Sequence, residues 1–263
     1  MVCDTFLAAV FEREWDFARA LALQAGELAL RLRQQGVQVE VKSDSSPVTQ
    51  ADRECERLIA RRIAEEFPQD GILGEEGSAQ ASANGRRWII DPIDGTRDFL
   101  RGNDLWSNLI ALEVNGEVVL GVCHLAARGE IYSALRGAGA WKNGTRIHCS
   151  EVDRAGEAVL SINGLNYARE TPFAPRLLEW SSQFWSVRSM GGCLDAMMLA
   201  DGRFDLWIEC RCEAWDLAAL GVILEEAGAR FLSFSGQRTI YGGNCIAFTP
   251  GLEQEARGLL SLP

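Results

Sequence analysis

Apolar residues recur at helical spacing from residue 15 to residue 32, with Trp15, Ala18, Leu21, Ala22, Ala25, Leu28, Ala29 and Leu32 on one face. A second helix is predicted from about Ala51 to Phe67, with Cys55, Leu58, Ile59 and Ile63 on its inner side and Pro68 to end it. Between them Lys42-Ser43-Asp44-Ser45-Ser46-Pro47 has loop composition. From residue 88 the period changes. Trp88-Ile89-Ile90 reads as a buried strand that stops at Asp91-Pro92. Residues 107–125 read as a hairpin turning at Asn115-Gly116, and residues 130–148 as a second one turning at Asn143-Gly144. Asn-Gly is the favoured two-residue turn because both positions tolerate positive φ. Two helices followed by an antiparallel sheet are expected in this half.

The second half alternates. Val159 to Ile162, Trp185 to Val187 and Phe204 to Ile208 read as strands. Leu194 to Ala200 and Asp216 to Ala227 read as helices, the latter ended by Gly228. Such alternation predicts a sheet with helices packed on it, hence an α/β chain. The dividing line is expected near residue 150, giving an N-terminal half (1–150) and a C-terminal half (151–263) without a flexible linker.

Composition narrows the function classes. An apolar fraction of 47% in 263 residues supplies a substantial core. Acidic residues outnumber basic ones, 37 to 26, and the net charge of −11 repels nucleic acid and anionic lipid. No basic patch overrides it: Arg61-Arg62 and Arg86-Arg87 are short pairs. Eight cysteines are scattered without a CxxC pair, and with only His124 and His148 there is no zinc-site spacing. The apolar run Phe6 to Phe11 is too short to span a membrane and lacks a basic flank, so a cytoplasmic protein with reduced thiols is expected.

Three acidic signals sit where the chain changes direction. Gly74-Glu75-Glu76-Gly77 follows Ile72-Leu73, and alone it reads as a solvated turn. In Trp88 to Thr96, an apolar strand delivers Asp91 and Asp94 at its carboxyl end. Pro92 supplies no competing N–H and Gly95 permits a tight bend. Hard cations such as Mg²⁺ prefer such oxygen ligands and leave positions for water and substrate; the lesser alternative is an Asx-type turn that happens to carry two aspartates. A helix starting at Gly95-Thr96 would direct free N–H groups at a bound phosphate. Asp216, in Trp215-Asp216-Leu217-Ala218-Ala219, is placed either to cap the following helix or to ligate. As a set, four carboxylates at element ends around a phosphate-binding turn suit a two-metal site.

Gly74-Glu75-Glu76, the run from Trp88 to Thr96 and Trp215 to Ala219 together resemble the three signatures of the inositol monophosphatase family, in order and separation, over nearly the whole chain. Lys42 to Asp52 resembles that family's mobile first loop and the acidic position after it. The resemblance implies a layered αβαβα sandwich, usually a homodimer, often lithium-sensitive, with two or three Mg²⁺ per active site. It implies that Glu75, Asp91 and the Ile93 carbonyl hold one ion and Asp91, Asp94 and Asp216 a second. Gly95 and Thr96 would bind phosphate, and Asp52 and Thr96 would orient the attacking water, with Glu75 as an assisting base. Lys42 would either close over the site with its loop or stand as a solvated lysine. The implied reaction is in-line attack of metal-activated water on the phosphate monoester of a small soluble metabolite.

The substrate is less sharply drawn. Glu209 stands where the family often places a carboxylate that binds substrate hydroxyls, and it suits an amine equally. Gly191, Gly192 and Cys193 correspond to a substrate-contacting segment. That segment looks one residue shorter than in inositol-specific members, and with Tyr241-Gly242-Gly243-Asn244 it is more similar to the histidinol-phosphate phosphatase branch. The branch commonly has Asp where this chain has Gly192; Asp195 either substitutes or caps the next helix. Histidinol phosphate is the leading expectation, followed by an inositol phosphate, then other sugar or nucleotide monophosphates. Two rivals remain at this stage. A haloacid-dehalogenase-type phosphatase needs a nucleophilic Asp two residues before the second one, whereas Asp91 and Asp94 are three apart. A non-catalytic metal-binding scaffold would keep the fold without the reaction.

Overall fold

A computed structural model of the protein describes residues 10–36, 39–41 and 47–262. Lys42 with its loop, and residues 6–9 of the N-terminal apolar run, lie outside the described residues. The first half runs α1 (Glu12–Gln35), β1 (Val39–Val41), β2 (Pro47–Thr49), α2 (Gln50–Glu66), β3 (Gly71–Gly74), β4 (Ala79–Gln80), β5 (Arg86–Asp94) and α3 (Thr96–Arg101). There follow β6 (Ser107–Val114), β7 (Glu117–Leu125), β8 (Glu130–Leu135), β9 (Gly139–Lys142) and β10 (Thr145–Ile147). The second half runs β11 (Val159–Asn163), α4 (Leu177–Ser181), β12 (Ser186–Arg188), α5 (Gly192–Ala200), β13 (Leu206–Glu209), α6 (Ala214–Glu226), β14 (Arg230–Leu232), β15 (Cys245–Phe248) and α7 (Glu253–Leu260).

Eight strands form one sheet in the order β10-β9-β8-β7-β6-β5-β3-β4, and five form another in the order β12-β11-β13-β15-β14. Because consecutive side chains of a strand face opposite ways, each sheet splits its apolar residues between two layers. Trp88 and Ile90 pack with Ala18, Leu21, Ile59 and Ile63 of α1 and α2. Ile89 points the other way, into the layer that holds α5 and α6. Trp207, Cys245 and Ala247 of the smaller sheet close that layer from beyond. Their neighbours Leu206, Ile208, Ile246 and Phe248 pack outward on Leu177 of α4 and Leu252, Ala256 and Leu259 at α7. The chain is thus an αβαβα sandwich. The central position of α6 explains its unbroken apolar run: Leu217 to Leu224 are all buried, because both sides face a sheet.

Several local expectations need correction. The larger sheet is not purely antiparallel, since β3 runs parallel to β5 from Gly71↔Arg87 to Gly74↔Ile90. Residues 130–148 form three strands, not one hairpin. A turn at 136–138 separates β8 from β9, and Asn143-Gly144 joins β9 only to the short β10. The strand expected at Trp185 starts one residue later and leaves Trp185 72% exposed. The strand expected from Phe204 runs instead from Leu206 to Glu209. α6 begins at Ala214, with Glu213 as its N-cap, so Asp216 occupies the third helical position. Among the described residues, seven cysteines are free thiols, and no helix is long and apolar enough to cross a membrane.

Candidate active site

β3, β5 and α6 end or begin at one cleft with room for about 320 Å³, lined by Glu75, Asp91, Ile93, Asp94, Gly95, Thr96 and Asp216. Glu75 follows β3, and its N–H donates to the Ile90 carbonyl at 3.2 Å, which ties the turn to the end of β5. The β5–β6 register shifts between Asp91 and Asp94, a bulge that separates the two carboxylates from regular strand geometry. Asp91 Oδ1 accepts the Ile93 N–H at 3.0 Å. The Asx-type turn is therefore real, and it holds the carboxylate instead of competing with a role for it. Gly95 has φ of 84°, and a Cβ there would lie 2.6 Å from the Leu105 carbonyl oxygen, so both conformation and space exclude a side chain. α3 starts at Thr96; the Asp98 and Phe99 N–H groups turn back to the Gly95 carbonyl, whereas the N–H groups ahead of them have no carbonyl one turn earlier in the helix.

Asp91, Asp94 and Asp216 each offer an oxygen within 4.8 Å of the others. Burial is the main reason that all three resist ionisation, and mutual repulsion adds to it. Asp91 is raised well above the carboxylate range, with Glu75, Asp94 and Asp216 all pressing on it. Burial lifts Asp94 to about 6, against hydrogen bonds from the Cys193 thiol and N–H. Asp216 rises to about 7 through burial and the charge of Asp94, although the Glu213 N–H donates to its Oδ2 at 2.7 Å. Capping and ligation are thus compatible at Asp216. This all-oxygen donor set, destabilised by its own charge, fits a hard divalent cation.

Asp52 lies beneath the same cleft, fully buried on α2. A capping box with Thr49 holds it: Thr49 N–H donates to Asp52 Oδ2 at 2.8 Å, the Thr49 hydroxyl donates to the same oxygen, and the Ala51 N–H returns a bond to that hydroxyl. The other oxygen, Oδ1, faces the Thr96 hydroxyl at 3.2 Å. That hydroxyl is also 3.2 Å from the Ile93 carbonyl, so one proton serves two acceptors. Burial raises Asp52 above the usual carboxylate range.

Sequence reasoning missed Glu56. It is 2% exposed and accepts the N–H groups of Glu76 at 2.7 Å and Ser78 at 2.8 Å. The only local signal was its place one helical turn after Asp52, on the same face of α2.

Glu209, at the end of β13, also lines the cleft and is buried. Burial pushes it up to about 8, opposed by Asn163, whose Nδ2 donates to Oε2 at 2.6 Å, and reinforced by Asp94, Asp216 and Asp195. Gly191 and Gly192 line the cleft; a Cβ on Gly192 would stand 3.1 Å from both Asn163 Nδ2 and Glu209 Oε2. Cys193, expected beside them as a substrate contact, is 1% exposed; it bonds Asp94 through its thiol and N–H and lines a recess with Gly192, Glu209 and Asp216. Asp195 is also buried, inside the first turn of α5, and folds back to accept the N–H groups of Met190 and Gly191 at about 3.2 Å; the N-cap itself is Gly191.

The model of the inositol monophosphatase family matches residues 12–260. A histidinol-phosphatase of Chlorobaculum parvum is 39% identical over 227 residues, covering 86% of this chain and 88% of that protein. One from Mycobacterium tuberculosis is 36% identical over 241 residues, covering 89% and 92%. Among solved structures, a Thermotoga maritima IMPase superimposes with a TM-score of 0.85 at 33% identity, covering 95% of this chain and 97% of that one.

Proposed function

We propose, for a chain that belongs to the inositol monophosphatase family and is therefore a phosphoric monoester hydrolase, that its substrate is histidinol phosphate and its cofactor Mg²⁺. The observation that carries the metal reading is the convergence of Asp91, Asp94 and Asp216 within 4.8 Å, in surroundings that penalise their charge. Glu75 and the Ile93 carbonyl complete the ligand set for two ions. When bound, such ions stabilise charge on the transferring phosphoryl group and lower the pKa of water. The chain's own residues do the rest. The N–H groups of Gly95 and Thr96 hold phosphate oxygens, and Asp52 with the Thr96 hydroxyl orients the attacking water. Glu75 assists by taking its proton.

Two observations support the substrate. The relatives in Chlorobaculum parvum and Mycobacterium tuberculosis carry the name histidinol-phosphatase. In addition, burial lifts Glu209 to about 8, and an amine or imidazolium brought beside it would be met by a carboxylate whose ionisation that cation favours. Gly191 and Gly192 leave that approach open. An inositol phosphate is the second reading, because Gly192 lacks the acid common in the histidinol branch and Glu209 equally accepts hydroxyl donors.

Phosphate release from histidinol phosphate, inositol 1-phosphate and 3′-phosphoadenosine 5′-phosphate, each with saturating Mg²⁺, tests this. Histidinol phosphate is expected to lead in kcat/KM by more than about tenfold. Inositol 1-phosphate in first place would overturn the substrate, and no Mg²⁺-dependent release from any of them would overturn the cofactor.

The proposal extends to a homodimer in the cytoplasm, divided near residue 150. Exposed Trp185 and Val187 at the free edge of the five-stranded sheet support association, and the free thiols suit a reducing compartment. The eight-stranded sheet ends at Ile147 and the five-stranded one begins at Val159, which supports the division.

A further inference from the structure

α2 presents two buried carboxylates one turn apart, and they serve different sides of the same cleft. Asp52 reaches Thr96. Glu56 reaches the turn that carries Glu75. Its Oε2 takes the Glu76 N–H at 2.7 Å and its Oε1 takes the Ser78 N–H at 2.8 Å, so both oxygens are spent on the backbone immediately after Glu75. The turn closes around the carboxylate from the other side as well. Gly74 N–H donates to the Ser78 carbonyl at 2.8 Å, and a Cβ on Gly74 would stand 2.6 Å from Glu56 Cδ and Oε2. The glycine that opens Gly74-Glu75-Glu76-Gly77 is therefore needed for the approach of Glu56.

We propose that Glu56 is a positioning residue for Glu75: by gripping the N–H groups of Glu76 and Ser78 it fixes the turn so that the Glu75 carboxylate faces Asp91. This rests on the reading of Glu75 as a metal ligand. Backbone hydrogen bonds to a buried, charged acceptor are the strong kind, and both run to one rigid helix. Groups that orient metal ligands commonly cost 10–100-fold in affinity when removed. Glu56 touches neither phosphate nor cation in this account; it acts only through the turn.

The test uses the full-length protein and Mn²⁺ as the probe ion, with binding followed by electron paramagnetic resonance. Glu56→Gln keeps the size but offers one acceptor where two donors point, so Mn²⁺ affinity is expected to fall by about tenfold or more. In turnover, the Mg²⁺ concentration for half-maximal rate rises by a similar factor, and excess Mg²⁺ recovers most of kcat while KM for the phosphate ester stays within about twofold. Gly74→Ala, which presses on Glu56 from the turn, should reproduce this pattern and serves where Glu56→Gln does not fold. Unchanged Mn²⁺ affinity in a variant whose metal-free melting temperature has dropped would show Glu56 to be a fold residue only. Unchanged Mn²⁺ affinity with unchanged melting would overturn the proposal equally. Glu75→Gln is the control: if it binds Mn²⁺ as tightly as the wild type, the ligand reading of Glu75 fails on its own account, and the proposal with it.

Discussion

The hydroxyl of Thr96 stands 3.2 Å from Oδ1 of Asp52, joining the first turn of α3 to the first turn of α2 across 44 positions of sequence. Oδ2 of the same carboxylate is already occupied by the N–H and hydroxyl of Thr49. Only Oδ1 is left to direct the Thr96 hydroxyl, and in the proposed reaction that hydroxyl would orient the attacking water.

This pairing predicts that Asp52→Asn and Thr96→Val each lower kcat by about 10²-fold with little change in KM, the usual scale for a lost proton-handling contact. Thr96→Ser keeps the hydroxyl and should retain most of the rate. Steady-state kinetics at saturating Mg²⁺ decide the matter; a rise in KM alone would assign the pair to ground-state binding.

The acidic cluster predicts a pH-dependent stability. Folding lifts Glu209 to about 8, Asp216 to about 7, and Asp94 and Asp195 to about 6, from unfolded values near 4. Between these limits the folded chain holds protons that the unfolded chain has released. Stability present below about pH 4 is therefore lost as pH rises through 6 to 8. His124, lowered by burial, pulls the other way near its own range, but these four carboxylates, with Asp91 and Asp52 raised besides, outweigh it. In chelator, the melting temperature should fall from pH 5 to pH 8. Saturating Mg²⁺ should raise it more at pH 8 than at pH 5, since cations and protons compete for the same oxygens. Scanning calorimetry in EDTA that showed melting rising over this interval would contradict the reading.

At Glu209 the expected effect is selective. Glu209→Gln keeps an acceptor for hydroxyls but loses the charge that an amine or imidazolium uses. Hydrogen bonds to charged groups contribute about 1.5–3 kcal/mol, so kcat/KM for histidinol phosphate should fall by about 10–100-fold. Hydrolysis of para-nitrophenyl phosphate, which carries no cation, should hardly change. Equal losses for both esters would mean that Glu209 supports the metal ligands instead of the substrate.

A fourth prediction concerns how α6 is seated. Gly121 on β7 lets the helix approach so closely that a Cβ would lie 2.6 Å from the Ala219 carbonyl oxygen and 2.8 Å from its Cα. Gly121→Ala must push α6 outward at a cost of about 1–3 kcal/mol. Because Asp216 rides on the first turn of that helix, the Mg²⁺ requirement should rise together with the loss of stability. Thermal melts paired with Mg²⁺ titrations of activity measure both; destabilisation without a changed Mg²⁺ requirement would show that the helix start stays in place.

Much of this molecule is readable along the chain where the determining interactions are short-range. Helical periodicity marks α1 and α2, Asn115-Gly116 marks the β6–β7 turn, and the strand running into Asp91-Pro92 marks a directional end. The short strands β14 and β15 carry no comparable pattern, since three and four residues give at most two periods of alternation, and α7 is amphipathic but only eight residues long. At β8–β10 the turn at 136–138 carries a weaker signal than Asn143-Gly144, which joins only the short β9–β10 pair.

By itself the sequence determined which carboxylates sit at element ends and which segments are apolar enough to be buried, because hydrophobic period and turn chemistry act over a few residues. Only the tertiary structure decided that Glu56 grips the turn 20 positions onward, that Cys193 backs Asp94, and that Glu209 shares a cleft with Asp91. Those relationships depend on how two sheets and the helices between them stack. That packing is set by burial across the whole chain, and no local pattern encodes it.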